Sequence, residues 1–165
     1  FEKLVWAHVC ESPKYTKEKK DSIEAFGYKK GYIYAEEVLK DFLGKLATLK
    51  RDKNVAIMFL AHSHIKTFSD PANEPYDRYE IKVHPKFGAV VTEWCDTILF
   101  ADKKKVVKKE DGSAKGRAIG KDDRILHTTW HPAFVAGNRY NMPPEIPLEW
   151  GAVAQYIPYY REEND

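Results

Sequence analysis

Three stretches of the chain repeat apolar residues at the spacing of an amphipathic helix. They are residues 1–10, 35–53 and 86–95, and the longest carries Val38, Leu39, Phe42, Leu43, Leu46 and Leu49 along one face. Its acidic residues come early and its basic residues late, an order that suits the helix dipole. The pattern predicts three helices, each directing one face at a core.

A continuous apolar run follows the longest of these helices. It covers residues 55–61 and ends in His62, Ser63 and His64. A run of this length predicts a strand buried on both faces, as in parallel sheets covered by helices. Ligands of such sheets bind beyond the carboxyl ends of the strands, so these three polar side chains are candidate ligand contacts. The alternative is that they close the strand with hydrogen bonds.

The second half of the chain alternates short apolar segments with charged ones. Residues 66–85 are long and polar, which predicts a functional or mobile loop. Residues 96–101 and 124–129 predict short strands, and Asp111-Gly112 predicts the turn of a β-hairpin over about 103–124. The elements together predict one α/β domain over residues 1–165. Its sheet is mostly parallel and flanked by helices, with the added β-hairpin and a C-terminal tail at 148–165.

Composition narrows the class of protein only slightly. The 165 residues are 43% apolar and 32% charged, as in an ordinary globular domain. The net charge of +2 does not indicate nucleic acid, but residues 103–124 hold nine Lys and Arg against four Asp and Glu. Cys10 and Cys95 show neither metal spacing nor a disulfide framework, which predicts a reducing compartment. No membrane span or signal peptide is indicated. Because the chain begins without Met inside a predicted helix, we expect a fragment that lacks its upstream part.

Phosphate-binding motifs are absent from the sequence. It contains no Gly-x-x-x-x-Gly-Lys-Ser/Thr and no Gly-x-Gly-x-x-Gly, and it has no Cys-x-x-Cys or His-Glu-x-x-His. Three candidates for chemistry are left: the strand end at residues 62–64, the loop 66–85, and Arg139 in the turn before Pro143-Pro144. An arginine on such a turn can reach a phosphate of a neighbouring subunit, or it can fix its own loop through backbone carbonyls.

Several segments of the chain are distinctive in combination. They are Phe26-Gly27-Tyr28, Lys30-Gly31-Tyr32, Tyr34-Ala35, residues 54–66, Tyr76 to Glu80, Glu93 to Ala101, and Pro132 to Pro147. In these segments the chain resembles the phage-type RecA-like ATP-binding proteins, which are often encoded beside single-strand annealing recombinases. The resemblance covers roughly residues 1–150.

The resemblance implies a partial RecA-like core and ATP-dependent work on DNA in phage recombination or replication. It places the P-loop and the Walker B aspartate before Phe1, so ATP and Mg²⁺ belong to the full-length protein and this chain alone is expected to be inactive. It also implies hydrolysis between subunits of a homo-oligomer, single-stranded DNA and a single-strand annealing recombinase as partners, no membrane, and the cytoplasm of a bacterial host.

The same resemblance assigns roles to single residues. His64, where related ATPases often have Gln, would sense the γ-phosphate, and Arg139 would act as an arginine finger. The family often has Lys two residues before that arginine, where this chain has Gly137. Nucleotide contacts fall on His62, Ser63 and Asn138. The loop 66–85 matches the position of a DNA-contacting loop in RecA-like proteins, which implies DNA contacts at Lys66, Arg78 and Lys82. The positive charge of the hairpin, and not the resemblance, adds Lys104, Lys105, Lys108 and Lys109 as DNA contacts. No metal ligand is assigned.

Two other classes of function are open on the sequence alone. The first is a metal-dependent hydrolase that uses His62 and His64 as a strand-end pair, because a His-x-His pair after an apolar strand can present two metal ligands. Its further ligands would come from His84, Asp96, His127 or His131. The second is a non-catalytic nucleic-acid-binding module that uses the basic hairpin.

Overall fold

The computed structural model describes residues 1–108 and 117–161. Its helices are α1 (Glu2–Glu11), a short 3-10 helix (Ile23–Phe26), α2 (Lys30–Lys53), α3 (Pro85–Trp94), α4 (Trp150–Ala154) and α5 (Pro158–Arg161). Its strands are β1 (Ser63–Phe68), β2 (Tyr76–Ile81), β3 (Thr97–Ile98), β4 (Phe100–Lys108), β5 (Arg117–His127), β6 (Gly137–Asn138) and β7 (Glu145–Pro147). No helix in this part of the chain is both long and apolar enough to cross a membrane.

The chain divides into two compact units. The first comprises Phe1–His64 and Ile81–Cys95, and the second comprises Ile65–Glu80 and Asp96–Asp165. The mixed α/β composition predicted from the sequence is confirmed, and each unit has its own small apolar core.

The first unit is held together by the apolar face of α2. Leu39 and Val9 are fully buried there, and Val91 of α3 packs into the same cluster. The remaining members of this core are Val5, Cys10, Ile23, Ala35, Leu43 and Phe87. Burial of each large aliphatic side chain stabilises the fold by about 1.5–3 kcal/mol. The predicted helices at 35–53 and 86–95 are therefore confirmed, although α2 begins five residues earlier than predicted.

The start of α2 lies directly against the 3-10 helix. A Cβ atom built on Gly31 would clash with the carbonyl oxygen of Ile23 and lie 3.0 Å from its Cγ1. Gly31 is buried, so the absence of a side chain is what lets the two helices approach.

The second unit contains antiparallel sheets. β4 pairs with β5, with Phe100 opposite His127 and Lys103 opposite Arg124, and β5 pairs in turn with β7. The predicted pairing of two hairpin strands is therefore observed; the turn at Asp111-Gly112 lies outside the described residues. β3 pairs with β6 in a second antiparallel sheet, and Met142, Ile146 and Val153 form the core of the unit.

The prediction of a buried strand over residues 54–64 is wrong for most of its length. Residues 55–62 form neither helix nor strand, and β1 begins only at Ser63. Met58 and Leu60 are exposed, while Ile57 and Phe59 are half-buried, with Phe59 5.9 Å from the Trp94 ring. A strand gains its hydrogen bonds from neighbouring strands, and in the described part of the chain none is paired with this run. Apolar composition alone is not sufficient to form one.

The predicted loop at 66–85 and the predicted parallel sheet also differ from the structure. The loop segment holds half of β1 and all of β2, which pair in a two-stranded sheet, and the first residue of α3. Its strand-forming residues, such as Thr67, Phe68, Tyr76 and Tyr79, are obscured in the sequence by the charged residues between them. Every strand pair whose register is described is antiparallel, so the coarse α/β class is established but a mostly parallel core is not.

Candidate nucleotide and nucleic-acid sites

The polar group at residues 62–64 lies where the irregular segment passes into β1. His62 and Ser63 are exposed and His64 is half-buried. The backbone is fixed at this point because the amide of Lys82 donates to the carbonyl of His62 at 2.8 Å. The side chains of all three are free of hydrogen bonds to other described residues, so the structure leaves them accessible to a ligand. Their assignment to nucleotide stays a prediction.

A metal site around His62 and His64 finds no support in the described residues. Across 1–108 and 117–161, no three His, Cys, Asp or Glu side chains are grouped so that they could hold a metal ion. The proposed further ligands have other contacts: His84 stacks on Tyr32 at 4.3 Å, and Asp96 pairs with Arg139. His127 lies in a cluster of aromatic rings in the second unit. The geometry therefore does not favour the hydrolase hypothesis.

Arg78 of β2 is held tightly inside the second unit. Its Nε and Nη2 donate to Glu80 Oε1 at 2.9 and 2.7 Å, and its guanidinium lies 3.6 Å from the centre of the Phe68 ring. Burial alone would raise the pKa of Glu80, but the hydrogen bonds and charges of Arg78 and Lys66 outweigh it and lower the pKa. With its side chain only 17% exposed, Arg78 is neutralised and stacked, a geometry that supports the strand pair more directly than it supports a phosphate contact.

The other predicted DNA contacts are distributed over both units. Lys66 lies 3.5 Å from Glu80 Oε2, and Lys82 is exposed just after β2. Lys104 is exposed on β4 with its Nζ 3.7 Å from Glu145. The side chains of Lys105 and Lys108, and the whole of Lys109, lie outside the described residues. Of the four predicted hairpin lysines, Lys104 is therefore the one whose side chain is described.

Arg139 follows β6 and is held by Asp96, which precedes β3. Its backbone amide donates to the Asp96 carbonyl at 3.2 Å, and its Nη1 donates to Asp96 Oδ1 at 3.1 Å. The pairing of Thr97 with Asn138 in the β3–β6 sheet places the two residues side by side. The Arg139 side chain is nevertheless 66% exposed, so the guanidinium is oriented by one carboxylate and still open to an anion. The sequence indicates Asp96 only as a possible metal ligand and does not identify it as the partner of Arg139.

Asn138 holds the turn that carries this arginine. Its Oδ1 accepts from the backbone amides of Tyr140 and Met142 at 3.0 and 2.9 Å, and its Nδ2 donates to the Thr128 carbonyl at 3.0 Å. Thr128 is fully buried, and its hydroxyl donates to the Pro143 carbonyl at 2.5 Å. Both polar atoms of the Asn138 side chain therefore form hydrogen bonds with the backbone. These bonds account for an asparagine at this position without any contact to a nucleotide.

This arrangement predicts that Asn138→Ala destabilises the second unit by about 2 kcal/mol, because two backbone amides lose their acceptor and one belongs to the buried Met142. Urea unfolding followed by near-ultraviolet circular dichroism measures the loss. The control is Asn73→Ala, where an exposed amide donates to Asp70 and the expected loss is below about 0.5 kcal/mol. Equal stability of the two variants would show that the Asn138 amide does not hold the turn.

Comparison with known proteins places the chain in a class of nucleotide-binding, ATPase-like proteins. A family model described as AAA domain matches residues 1–140. Since that match covers most of the sequence, the chain belongs to the AAA domain family. The family supports the use of ATP and Mg²⁺ in general and assigns neither to a residue of this chain. No curated protein and no solved structure matches the chain.

Proposed function

We propose that the chain is part of a RecA-like ATP-binding protein that acts on single-stranded DNA in phage recombination or replication. In this proposal the protein is a homo-oligomer in the cytoplasm of a bacterial host, and ATP is hydrolysed at its subunit interfaces beside a single-strand annealing recombinase. The observation that carries it is Arg139, an exposed guanidinium held by Asp96 on a pinned turn in a member of the AAA domain family.

The residues of this chain fit one part of an ATP site. The sequence has no P-loop motif, so ATP and Mg²⁺ would be held by the segment that the resemblance places before Phe1. Bound there, Mg²⁺ and the P-loop would neutralise charge on the phosphates during transfer. Arg139 would act in trans on ATP bound by the neighbouring subunit, and His64 would sense a γ-phosphate by donating a hydrogen bond. His62 and Ser63 are further proposed contacts, whereas the bonds of Asn138 support a role in positioning Arg139.

The proposed DNA contacts concentrate on the β4–β5 hairpin. Arg78 is neutralised by Glu80, and Lys66 shares that carboxylate, so less positive charge is available there for phosphates. The hairpin sequence carries an excess of five positive charges over residues 103–124. This excess suits a polyanion, and the proposal therefore assigns most of the electrostatic binding to the hairpin.

Replacing Lys104, Lys105, Lys108 and Lys109 with Ala should weaken the binding of single-stranded DNA and flatten its salt dependence. The slope of log K against log salt should fall by roughly 0.7 for each phosphate that the protein no longer neutralises. Fluorescence anisotropy with a labelled oligonucleotide over a range of NaCl concentrations measures both quantities.

A variant with the same net charge controls for the loss of positive charge in general. Lys3, Lys17, Lys45 and Lys53 are exposed lysines of the first unit, and their joint replacement with Ala should leave the slope nearly unchanged. If both variants lower the slope equally, the hairpin is no DNA site. The alternative function, a non-catalytic nucleic-acid-binding module, would be favoured by two results together. The hairpin would bind DNA, and replacing Arg139 would leave the turnover of ATP unchanged.

A further inference from the structure

The segment that joins the 3-10 helix to α2 has positive φ angles at three consecutive residues. Gly27, Tyr28 and Lys29 have φ angles of 63°, 45° and 58°. Glycine adopts such angles readily, but tyrosine and lysine do so at a cost, because their Cβ atom then lies too close to the following carbonyl oxygen. Backbone conformations of this kind persist only where the surrounding structure holds them, and they cluster at functional sites.

A backbone hydrogen bond and close packing hold this segment in place. The amide of Lys30 donates to the Gly27 carbonyl at 3.0 Å, which closes a turn around the two residues between them. Turns with positive φ at both central residues are normally formed by Gly, Asn or Asp, so the sequence here goes against local preference. The next residue, Gly31, lies so close to the Ile23 carbonyl that no side chain fits there. The position of Tyr28 is therefore fixed by its surroundings.

Tyr28 differs from the aromatic residues around it in the sequence. The Phe26 ring lies 5.6 Å from the Tyr34 ring, and Tyr32 stacks on His84 at 4.3 Å. Tyr28 is 97% exposed, and its side chain makes neither a ring contact nor a hydrogen bond with the residues that the structure describes. Its exposure leaves both faces of the ring available for stacking.

Two exposed lysines, Lys29 and Lys30, directly follow this ring. Across residues 1–108 and 117–161, neither of their side chains forms an ion pair, a hydrogen bond or a contact with a ring. Lys14 and Lys40 of the same unit, by contrast, are each paired with a glutamate of α2, at 2.6 and 2.7 Å. Two ammonium groups without a carboxylate partner therefore lie within two residues of the exposed ring. We call Tyr28, Lys29 and Lys30 together the Tyr28 turn.

We propose that the Tyr28 turn binds single-stranded DNA, with the tyrosine ring stacked on a base and the two lysines at neighbouring phosphates. The inference rests on the proposed function and names a contact surface for it in the first unit. An unpaired strand offers base faces and phosphates together, and every base has a face on which a ring can stack. Lysine is depleted at protein–protein interfaces, so an exposed tyrosine beside two lysines suits a polyanion better than a protein surface.

The role of the ring is tested with Tyr28→Asn, which removes the ring and keeps a residue that accepts positive φ, so the turn should stay folded. Fluorescence anisotropy compares its binding of two labelled ligands of equal length. One is a single-stranded oligodeoxynucleotide, and the other is its abasic counterpart, which keeps the phosphates but has no bases. Loss of one base–aromatic stack weakens binding by about 5- to 150-fold. Tyr28→Asn should lose that factor on the normal oligonucleotide and bind the abasic one as before, whereas Tyr28→Phe should keep both affinities.

The role of the two charges is tested with Lys29→Gln and Lys30→Gln combined. Because the lysines act on phosphates, this variant should bind both ligands more weakly by the same factor. Its slope of log K against log salt should fall by roughly 0.7 for each phosphate that is no longer neutralised. The matched control combines Lys3→Gln and Lys53→Gln, at two exposed lysines of the same unit, and should leave the slope unchanged.

Leu4→Ala controls for the loss of an exposed apolar side chain in general. Leu4 is 70% exposed on α1 of the same unit, and its replacement should leave both affinities unchanged. If Tyr28→Asn weakens neither ligand, weakens both equally, or matches Leu4→Ala, the ring does not stack on a base. If Tyr28→Asn binds DNA normally but associates with itself less in analytical ultracentrifugation, the turn is a contact between subunits and the inference is overturned.

The hairpin separates failure of this inference from failure of the proposed function. If replacing the hairpin lysines flattens the salt slope while the Tyr28 and Lys29–Lys30 variants bind normally, the protein binds single-stranded DNA without the Tyr28 turn. If the unchanged chain binds neither ligand, the proposed function and the inference fail together.

Discussion

Arg139→Ala in the intact protein is expected to abolish ATP hydrolysis and to leave nucleotide affinity nearly unchanged. An arginine that acts on the transferring phosphoryl group stabilises charge that develops only in the transition state, and its loss costs about 10³–10⁵ in turnover. Steady-state phosphate release measures kcat, and calorimetry with a nonhydrolysable ATP analogue measures affinity. Arg139→Lys should rescue poorly because the planar fork of donors is lost.

Unfolding of the variant is not expected to explain a loss of turnover in Arg139→Ala. The Arg139–Asp96 pair is largely exposed, so its removal should cost no more than about 1 kcal/mol of stability. Arg51→Ala is a matched control, because Arg51 is an exposed arginine paired with Asp52 at 2.8 Å in the other unit, and its turnover should stay normal.

A mixing experiment tests whether Arg139 acts between subunits. Arg139→Ala combined with a P-loop variant should regain part of the activity, because each protein supplies the group that the other lacks. Unchanged turnover in Arg139→Ala, or unfolding of that variant, would make the arginine structural and refute the trans-acting role.

Gly31→Ala is expected to destabilise the first unit by about 3 kcal/mol, whereas Gly44→Ala in the same helix stabilises it by about 0.5–1 kcal/mol. At Gly31 the new methyl group would overlap the Ile23 carbonyl, a backbone atom, so α2 must move away from the 3-10 helix. At Gly44 nothing lies within 4 Å of the new Cβ, and only the gain in helix propensity is left. Urea unfolding followed by far-ultraviolet circular dichroism gives both values.

The opposite signs make this pair of variants diagnostic. Both replace a glycine of α2 with alanine, so their intrinsic contributions to helix formation are comparable. A difference between them reports the packing at Ile23. If Gly31→Ala also stabilises the protein, the close approach of α2 and the 3-10 helix is not present in solution.

The local periodicity of apolar residues predicts the helices of the first unit well. Strands are predicted less well, because they depend on pairing with strands that are distant in the sequence. The apolar repeat of α2 and α3 is contained in consecutive residues, so their register can be predicted from the sequence. The start of α2 at Lys30 cannot be predicted in this way, because it depends on contact with the 3-10 helix. The run at 55–61 has the composition of a buried strand but no paired strand among the described residues. Composition predicts which segments can form strands, and pairing decides which of them do.

The candidate site shows the same division. An arginine on a turn is predicted from local sequence, and the structure places Arg139 there. Nothing in the sequence indicates that Asp96, 43 positions away, binds the guanidinium, because contacts at that separation depend on how β3 and β6 pair.

The two ends of α2 differ in a way that bears on the order of folding. Its N-cap, Lys29, has a left-handed backbone and makes no side-chain capping bond, and no acidic residue occupies the first turn. Its last turn holds Lys50, Arg51 and Lys53, whose charges favour the C-terminal end of the helix dipole. We therefore expect the C-terminal half to become helical first, and the first turn to gain its order when the 3-10 helix packs against Gly31. Helix α2 would then form from its C-terminal half towards its N-terminus. Its first turn would be the last part to become protected from amide exchange and the first part to open.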